Sequence, residues 1–238
     1  MGRKRDLQAK EMIIQAACRC FLLYGYQHTS YQKIAEQSGF SKSVVQFHFP
    51  KKAEFIPAFF KRLTNEMWGY LDSHKLLSPN PFASSFCLGQ VYFSFLIMNP
   101  QVRQFSFDVV SSREFTEELL LFNETWCIDY FHVSPWRYEQ LYDTVTLSVG
   151  GAYELIYRSL KYQKEIDSMK IARQVILSLM ECLGRSDQAE IDHVLSTRLS
   201  PADILATNTH LYETLLQGNA VAQSQPNEAL ASSSSNPK

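Results

Sequence analysis

The chain has no cysteine pair at CxxC spacing and no cysteine–histidine cluster with the spacing of a zinc ligand set. Its five cysteines, Cys18, Cys20, Cys87, Cys127 and Cys182, are odd in number and scattered. Cys18 and Cys20 would fall about 200° apart on a helix and cannot share a ligand. They read as buried, reduced thiols. There is no Gly-rich phosphate loop, no HExxH, no GxSxG and no placeable pair of catalytic carboxylates, so no enzyme, metal or cofactor is expected. A signal peptide is also missing: the basic "MGRKRDLQAKE" runs into Gln15, Cys18 and Arg19 without a small-residue cleavage pattern. The most apolar run, Phe82 to Met98, has 17 residues and includes Ser84, Ser85, Gln90 and Ser94. A membrane span wants about 20 mostly apolar residues, so this run reads as a core helix. The expectation is a cytoplasmic protein with no membrane partner. Strand-like alternation persists nowhere, which leaves an all-α fold.

The 238 residues, 45% hydrophobic and 20% charged, are ordinary for a globular protein. The net charge of −1 conceals an asymmetry. Residues 1–75 hold 12 Lys+Arg against 6 Asp+Glu; the remainder holds 11 against 18. A basic head on an acidic body is what electrostatic attraction to nucleic acid requires.

The helices can be placed by period and punctuation. Leu7–Tyr24 repeats apolar residues every three or four positions and stops at Gly25. In "HTSYQKIAEQSG", Thr29 and Gln32 fit a capping box for a second short helix, which Gly39 breaks. Ser41 can cap a third, from Lys42 to His48. A longer fourth begins at Lys51 with an apolar stripe of Phe55, Phe59, Leu63, Met67 and Leu71, and Pro57 predicts a bend near Ala53–Pro57. After "SPNP", helices are expected at Phe82–Met98, Gln101–Val110, Arg113–His132, Trp136–Gln163, Ser168–Leu183, Gln188–Thr197 and Pro201–Leu216. The domains expected are 1–50, 51–217 and a disordered tail, 218–238, poor in large apolar residues.

Two short helices joined by a glycine turn and packed on an earlier helix make a helix-turn-helix. Ala35 is small where the two would cross, Gly39 supplies a turn with positive φ, and Phe40 and Val45 fill the inner face. The second helix would then present its first residues outward, toward a major groove about 12 Å wide.

The segment "IIQAACRCFLLYGYQHTSYQKIAEQSGFSKSVVQFHFPKKAEF" resembles the DNA-binding domain of TetR-family transcriptional regulators. The resemblance rests on the "AA…F…G" of the first helix, "TS…IAEQSGFSK", "HFPKK" and Phe55, over about residues 11–56. It implies an N-terminal three-helix helix-turn-helix domain joined by a long helix to a helical ligand-binding and dimerisation domain. It also implies a homodimer that binds a palindromic double-stranded DNA operator, usually as a repressor, and is released by a small-molecule effector. The alternative is a helical small-molecule-binding protein whose helix-turn-helix is vestigial. That alternative is motivated by a departure: after "SK" the family often has Gly-Thr-(Leu/Val)-Tyr, whereas this chain has Ser43, Val44, Val45 and Gln46. The hydroxyls usual at Val44 and Gln46 are missing, and Lys51 replaces the serine that often caps the fourth helix.

The candidate DNA contacts are Thr29, Tyr31, Lys42, Ser43, Val44, Gln46, Phe47 and Lys52. Lys42 and Ser43 would meet a base edge or a phosphate. Gln46 can pair with adenine, and Val44 can touch a thymine methyl. Phe47 either stacks on the sugar–phosphate edge or packs. Thr29 and Tyr31, opening the second helix, and Lys52 suit phosphates. Arg3, Lys4 and Arg5 form either a minor-groove arm or a solvated end. In the aromatic-rich body, Gln90, Arg103, Asn123, Trp126 and His132 are candidates to line a pocket for a hydrophobic or aromatic compound. Gly150 and Gly151, with Ile176 and Met180, are candidates for a close helix contact between two subunits, the other reading being a kink or tight contact within one.

Overall fold

In the computed structural model, which describes residues 2–217, the chain folds into α-helices, with no strand among the described residues. The N-terminal unit is α1 (Gly2–Tyr24), α2 (Tyr31–Ser38) and α3 (Lys42–His48). A long α4 (Phe55–Ser73) leads to α5 (Pro81–Phe95), α6 (Pro100–Val110), α7 (Arg113–Phe131) and α8 (Tyr138–Val145). The chain continues through α9 (Gly151–Tyr162), α10 (Ser168–Cys182), α11 (Gln188–Ser196) and α12 (Pro201–Gln217).

The punctuation has direct physical counterparts. Asn80 and Asn99 cap α5 and α6 with their side chains, and Pro81 and Pro100 take the first helical positions, where no N–H is needed. Gly25 and Gly39 both sit at positive φ, 75° and 74°. A side chain is strained there, and a Cβ at Gly25 would also come within 2.9 Å of the Asp108 carboxylate.

Three local expectations change. Helix α1 starts at Gly2 rather than Leu7; the side chains of Arg3, Lys4 and Arg5, like the tail from residue 218, lie outside the described part. Pro57 makes no bend, because α4 begins at Phe55 and the proline falls in its first turn, where its missing N–H breaks no intrahelical bond. The turn is made earlier, by a 3-10 segment over Lys52–Glu54. The helix expected over Trp136–Gln163 is a 3-10 turn at Pro135–Arg137 followed by α8 and α9, which a π-turn at Thr146–Gly150 joins without leaving the right-handed region.

One core runs through the molecule. The stripe Phe55, Phe59, Leu63, Met67 and Leu71 of α4 is buried along its whole length. Phe105 of α6 reaches the N-terminal unit, stacked on Phe21 of α1 at 5.5 Å and tilted against Phe59 of α4 at 4.5 Å. Phe55 continues the cluster to Phe49, 4.1 Å away at the end of α3. Helix α12 packs against α1, α4 and α5, so the C-terminal part of the fold also touches the first helix. All five cysteines are free and buried. Burial pushes the thiols of Cys18 and Cys127 up to about 12, far from the reactive thiolate. Among the described residues no single helix is long and apolar enough to cross a membrane.

Phe105 is fully buried between two parts of the chain. Phe105→Ala should therefore cost about 3–5 kcal/mol in denaturant unfolding. The N-terminal helices and the body should melt in one transition, followed by circular dichroism and by tryptophan fluorescence.

Candidate nucleic-acid interface

Helix α3 is held by few but deep anchors. Ser41 accepts from the backbone N–H of Val44 as its N-cap, and Val45 and Phe49 are buried. The Tyr31 hydroxyl, from the start of α2, donates to the Phe49 carbonyl at 2.8 Å and ties the two helices together. With that side fixed, Lys42, Ser43, Gln46 and Phe47 are exposed and Val44 is half-buried. Phe47 is 77% exposed, unusual for so large an apolar ring. His48 lies at the end of α3, 3.7 Å from Asp6, and is largely buried.

The remaining candidates are placed differently. Thr29 is buried and its hydroxyl donates to the Gly25 carbonyl at 2.8 Å, so it satisfies the end of α1 instead of capping α2. The cap of α2 is Ser30, which accepts from Lys33 N–H at 3.2 Å. Tyr31, with its hydroxyl bonded inward, positions α3. The Lys52 ammonium donates to the Tyr26 carbonyl at 2.7 Å and lies 4.0 Å from the Tyr26 ring centroid. Burial pushes its pKa down, and the nearby Asp108 carboxylate opposes that shift. Lys51, which the sequence pattern leaves without a contact, is the exposed member of the pair. Lys51 is on extended backbone while Lys52 opens the 3-10 turn, and only the three-dimensional course of that turn selects which one faces water.

The joint with the body is polar as well as aromatic. Asp108 of α6 accepts from the Gln27 N–H at 3.2 Å and from the Gln104 amide at 3.0 Å. A single carboxylate thus holds the turn between α1 and α2.

Within the body, α4, α5, α7 and α10 line a partly open apolar cavity of about 90 Å³, whose wall includes Met67, Phe93, Phe122 and Trp126. Its polar end carries Asn123 and Tyr92. The Tyr92 and Tyr153 hydroxyls lie 2.8 Å apart, and the Asn123 amide donates to Tyr153 at 3.1 Å. Burial pushes Tyr153 up to about 12 and Tyr92 well above the ordinary value, so both remain neutral donors and acceptors.

Of the five pocket candidates, Asn123 and Trp126 line this cavity. Gln90 does not: it is buried, and its amide serves the connection before α12, donating to the Thr197 carbonyl and accepting from Leu199 N–H. A buried connection leaves backbone groups that need such partners. Arg103 is half-buried on α6, and His132 is the left-handed residue that ends α7; neither is in the cavity wall. Ile176 and Met180 are buried inside one subunit, Ile176 in the cavity wall, because α10 packs its apolar face on α5. They are not available to a second copy. Gly150 faces Leu120, which a Cβ would approach to 3.7 Å, while Gly151 is exposed with open space around it.

Residues 13–59 match the bacterial regulatory proteins of the tetR family. No curated protein matches the chain significantly. Solved structures with a similar course include one assigned to the TetR-family transcriptional regulators of Mesorhizobium loti MAFF303099, at 15% identity and a TM-score of 0.42, covering 76% of this chain and 97% of that one. NalD, the secondary repressor of the MexAB-OprM multidrug efflux pump in Pseudomonas aeruginosa, aligns at 17% identity and 0.41, with 76% and 97% covered. A transcriptional regulator of the TerR/AcrR family from Aquifex aeolicus VF5 aligns at 22% identity and 0.35, with 73% and 98% covered. These overall likenesses are loose, and the weight falls on the matched segment, which spans most of α1, all of α2 and α3, and the start of α4. It is this N-terminal segment that matches the tetR family of bacterial regulatory proteins.

Proposed function

We propose that the chain is a ligand-responsive transcriptional regulator, a repressor that holds a palindromic DNA operator as a homodimer and releases it when a small hydrophobic or aromatic compound enters the body. The observation that carries this reading is α3: Lys42, Ser43, Gln46 and Phe47 are exposed together on a short helix whose other side is locked by Val45 and Phe49. Such a helix fits a major groove without rearranging its own core. Lys42 and Ser43 meet phosphate or a base edge at its tip, Gln46 reads a base, Val44 meets a thymine methyl, and Phe47 stacks on the sugar–phosphate edge. Lys51 supplies a phosphate contact that the inward-turned Lys52 does not.

The cavity is where the effector acts. Its wall includes Met67 of α4, and the same helix carries Phe55 and Phe59, which hold α3 and α6. A ligand that displaces Met67 therefore pushes on the helix that sets the position of α3. The small volume favours a compact apolar compound with one group for Asn123 or Tyr92.

The dimer has a different surface from Ile176 and Met180. Leu147, 78% exposed, Gly151 and Leu155 form an i, i+4 stripe along the π-turn and α9, and Leu121 is exposed on the adjoining α7. An apolar stripe with a glycine at its centre allows two copies of the same helix to approach closely about a two-fold axis, and a palindrome requires that symmetry.

Selection from a random DNA pool should return a palindrome with salt-sensitive affinity. Gln46→Ala should lose about 1–3 kcal/mol of discrimination at one base pair, while Lys42→Ala should weaken all sequences alike if it holds a phosphate. A pool without any sequence preference would rule the reading out. Leu147→Arg combined with Leu155→Arg should sediment as a monomer with unchanged helical content and should lose the palindrome; an unaltered dimer would reject this interface.

A further inference from the structure

At the polar end of the body cavity, the hydrogen-bond donors outnumber the acceptors that the protein itself supplies. The Asn123 amide nitrogen donates to the Leu119 carbonyl at 2.7 Å, which fixes the way the amide faces. The same nitrogen donates to the Tyr153 hydroxyl at 3.1 Å. Tyr153 thus accepts from Asn123 and must place its own hydrogen elsewhere. The one acceptor for it among the described residues is the Tyr92 oxygen, 2.8 Å away. Tyr153 is only 2% exposed and lies outside the cavity wall, so water is no substitute. The donors therefore run in a chain from Asn123 through Tyr153 to Tyr92, and the Tyr92 hydrogen is left over. Tyr92 stands in the cavity wall, and its hydroxyl has no second partner among the described residues.

The wall narrows the chemistry further. It has no Asp, Glu, Lys, Arg or His side chain among the described residues. Burial keeps both tyrosine hydroxyls protonated, so neither supplies a charge. An ion entering here would shed its water and meet no opposite charge. A carbonyl oxygen accepts a hydrogen bond and brings no hydrogen of its own, which makes it the direct complement of a lone hydroxyl donor. Leu88, Phe93, Val149 and Ile176 leave the rest of the wall to an apolar body.

We propose, on the reading that this cavity is the effector site, that its ligand is a compact uncharged ketone or ester whose carbonyl oxygen accepts from the Tyr92 hydroxyl. Asn123 and Tyr153 act through Tyr92: they are positioning residues that turn its hydrogen toward the cavity. The bound carbonyl completes a chain that begins on α7, crosses Tyr153 of α9 and ends on Tyr92 of α5. Ligand binding thus ties three helices of the body together.

The test uses the full chain, without DNA, and three probes: cyclohexanone, methylenecyclohexane, in which a CH2 group replaces the carbonyl oxygen, and cyclohexanecarboxylate. Binding is followed by the NMR signals of the Asn123 side-chain amide and the Trp126 indole. Cyclohexanone should shift both in a saturable way, and cyclohexanecarboxylate should leave them unmoved. The alkene is more apolar than the ketone, so each compound is compared with itself across variants. Tyr92→Phe should weaken cyclohexanone about tenfold and leave methylenecyclohexane as tight or tighter. Tyr153→Phe, which keeps the Tyr92 hydroxyl, should hold cyclohexanone to within about threefold of the native affinity. In the native chain, with no substitution needed, the infrared carbonyl band of bound cyclohexanone should lie at lower wavenumber than in cyclohexane. The proposal falls if Tyr92→Phe changes ketone and alkene alike, if the carbonyl band is unshifted, or if the carboxylate binds as well as the ketone. Those results leave the cavity standing as an effector site when the alkene still binds; if neither ketone nor alkene binds, both readings fall.

Discussion

The ring of Phe105 lies between Phe21 of α1 and Phe59 of α4, and the arrangement of the molecule depends on that insertion. Helices α1 to α3 bury residues of their own, among them Ile13, Phe21, Ile34 and Val45, and α6 adds Phe105 to that core. From Phe105 the aromatic contacts run through Phe21 and Phe55 to Phe49, the residue that seats the end of α3. One turn beyond Phe105 on α6, Asp108 receives the N–H of Gln27. The same helix therefore meets the N-terminal unit through both an apolar and a polar contact, so a shift of α6 or α4 has a direct route to the exposed face of α3.

Exposure and burial on α3 divide its roles cleanly. Val45 and Phe49 give up solvent entirely, and Tyr31 fixes the helix end by a hydrogen bond. The residues left outside are a cation, a hydroxyl, an amide and a ring, the groups that read a base edge or a sugar–phosphate surface. Val44 and Gln46 bring a half-buried apolar group and an exposed amide to that surface.

Much of this was legible locally. Gly25 and Gly39 take the positive φ that their places after apolar helices require, and Ser41, Asn80 and Asn99 cap as polar residues before a helical run do. The buried stripe of α4 follows from its four-residue period. The partners of polar side chains were less legible. Thr29 and Ser30 are equally good caps by type, and the choice fell to Ser30 because Thr29 is drawn under the turn to the Gly25 carbonyl. Lys51 and Lys52 are the same residue side by side, yet Lys52 turns inward to Tyr26 and Lys51 does not. Gln90 looks like a pocket residue in an apolar helix, but the connection after α11 needed its amide.

Apart from the start of α1 and the break between α8 and α9, the sequence by itself determined the all-helical class, the punctuation of most helices, and the helix-turn-helix with its outward and inward faces. These depend on period, capping and backbone conformation, which act over a few residues. Tertiary structure alone decided which helix face meets which: Ile176 and Met180 point into the body rather than to a partner, Asn123 and Trp126 line the cavity, and α12 reaches back to α1. Such contacts join residues as far apart as Gln15 and Leu215, whose meeting is set by the packing of every helix between them.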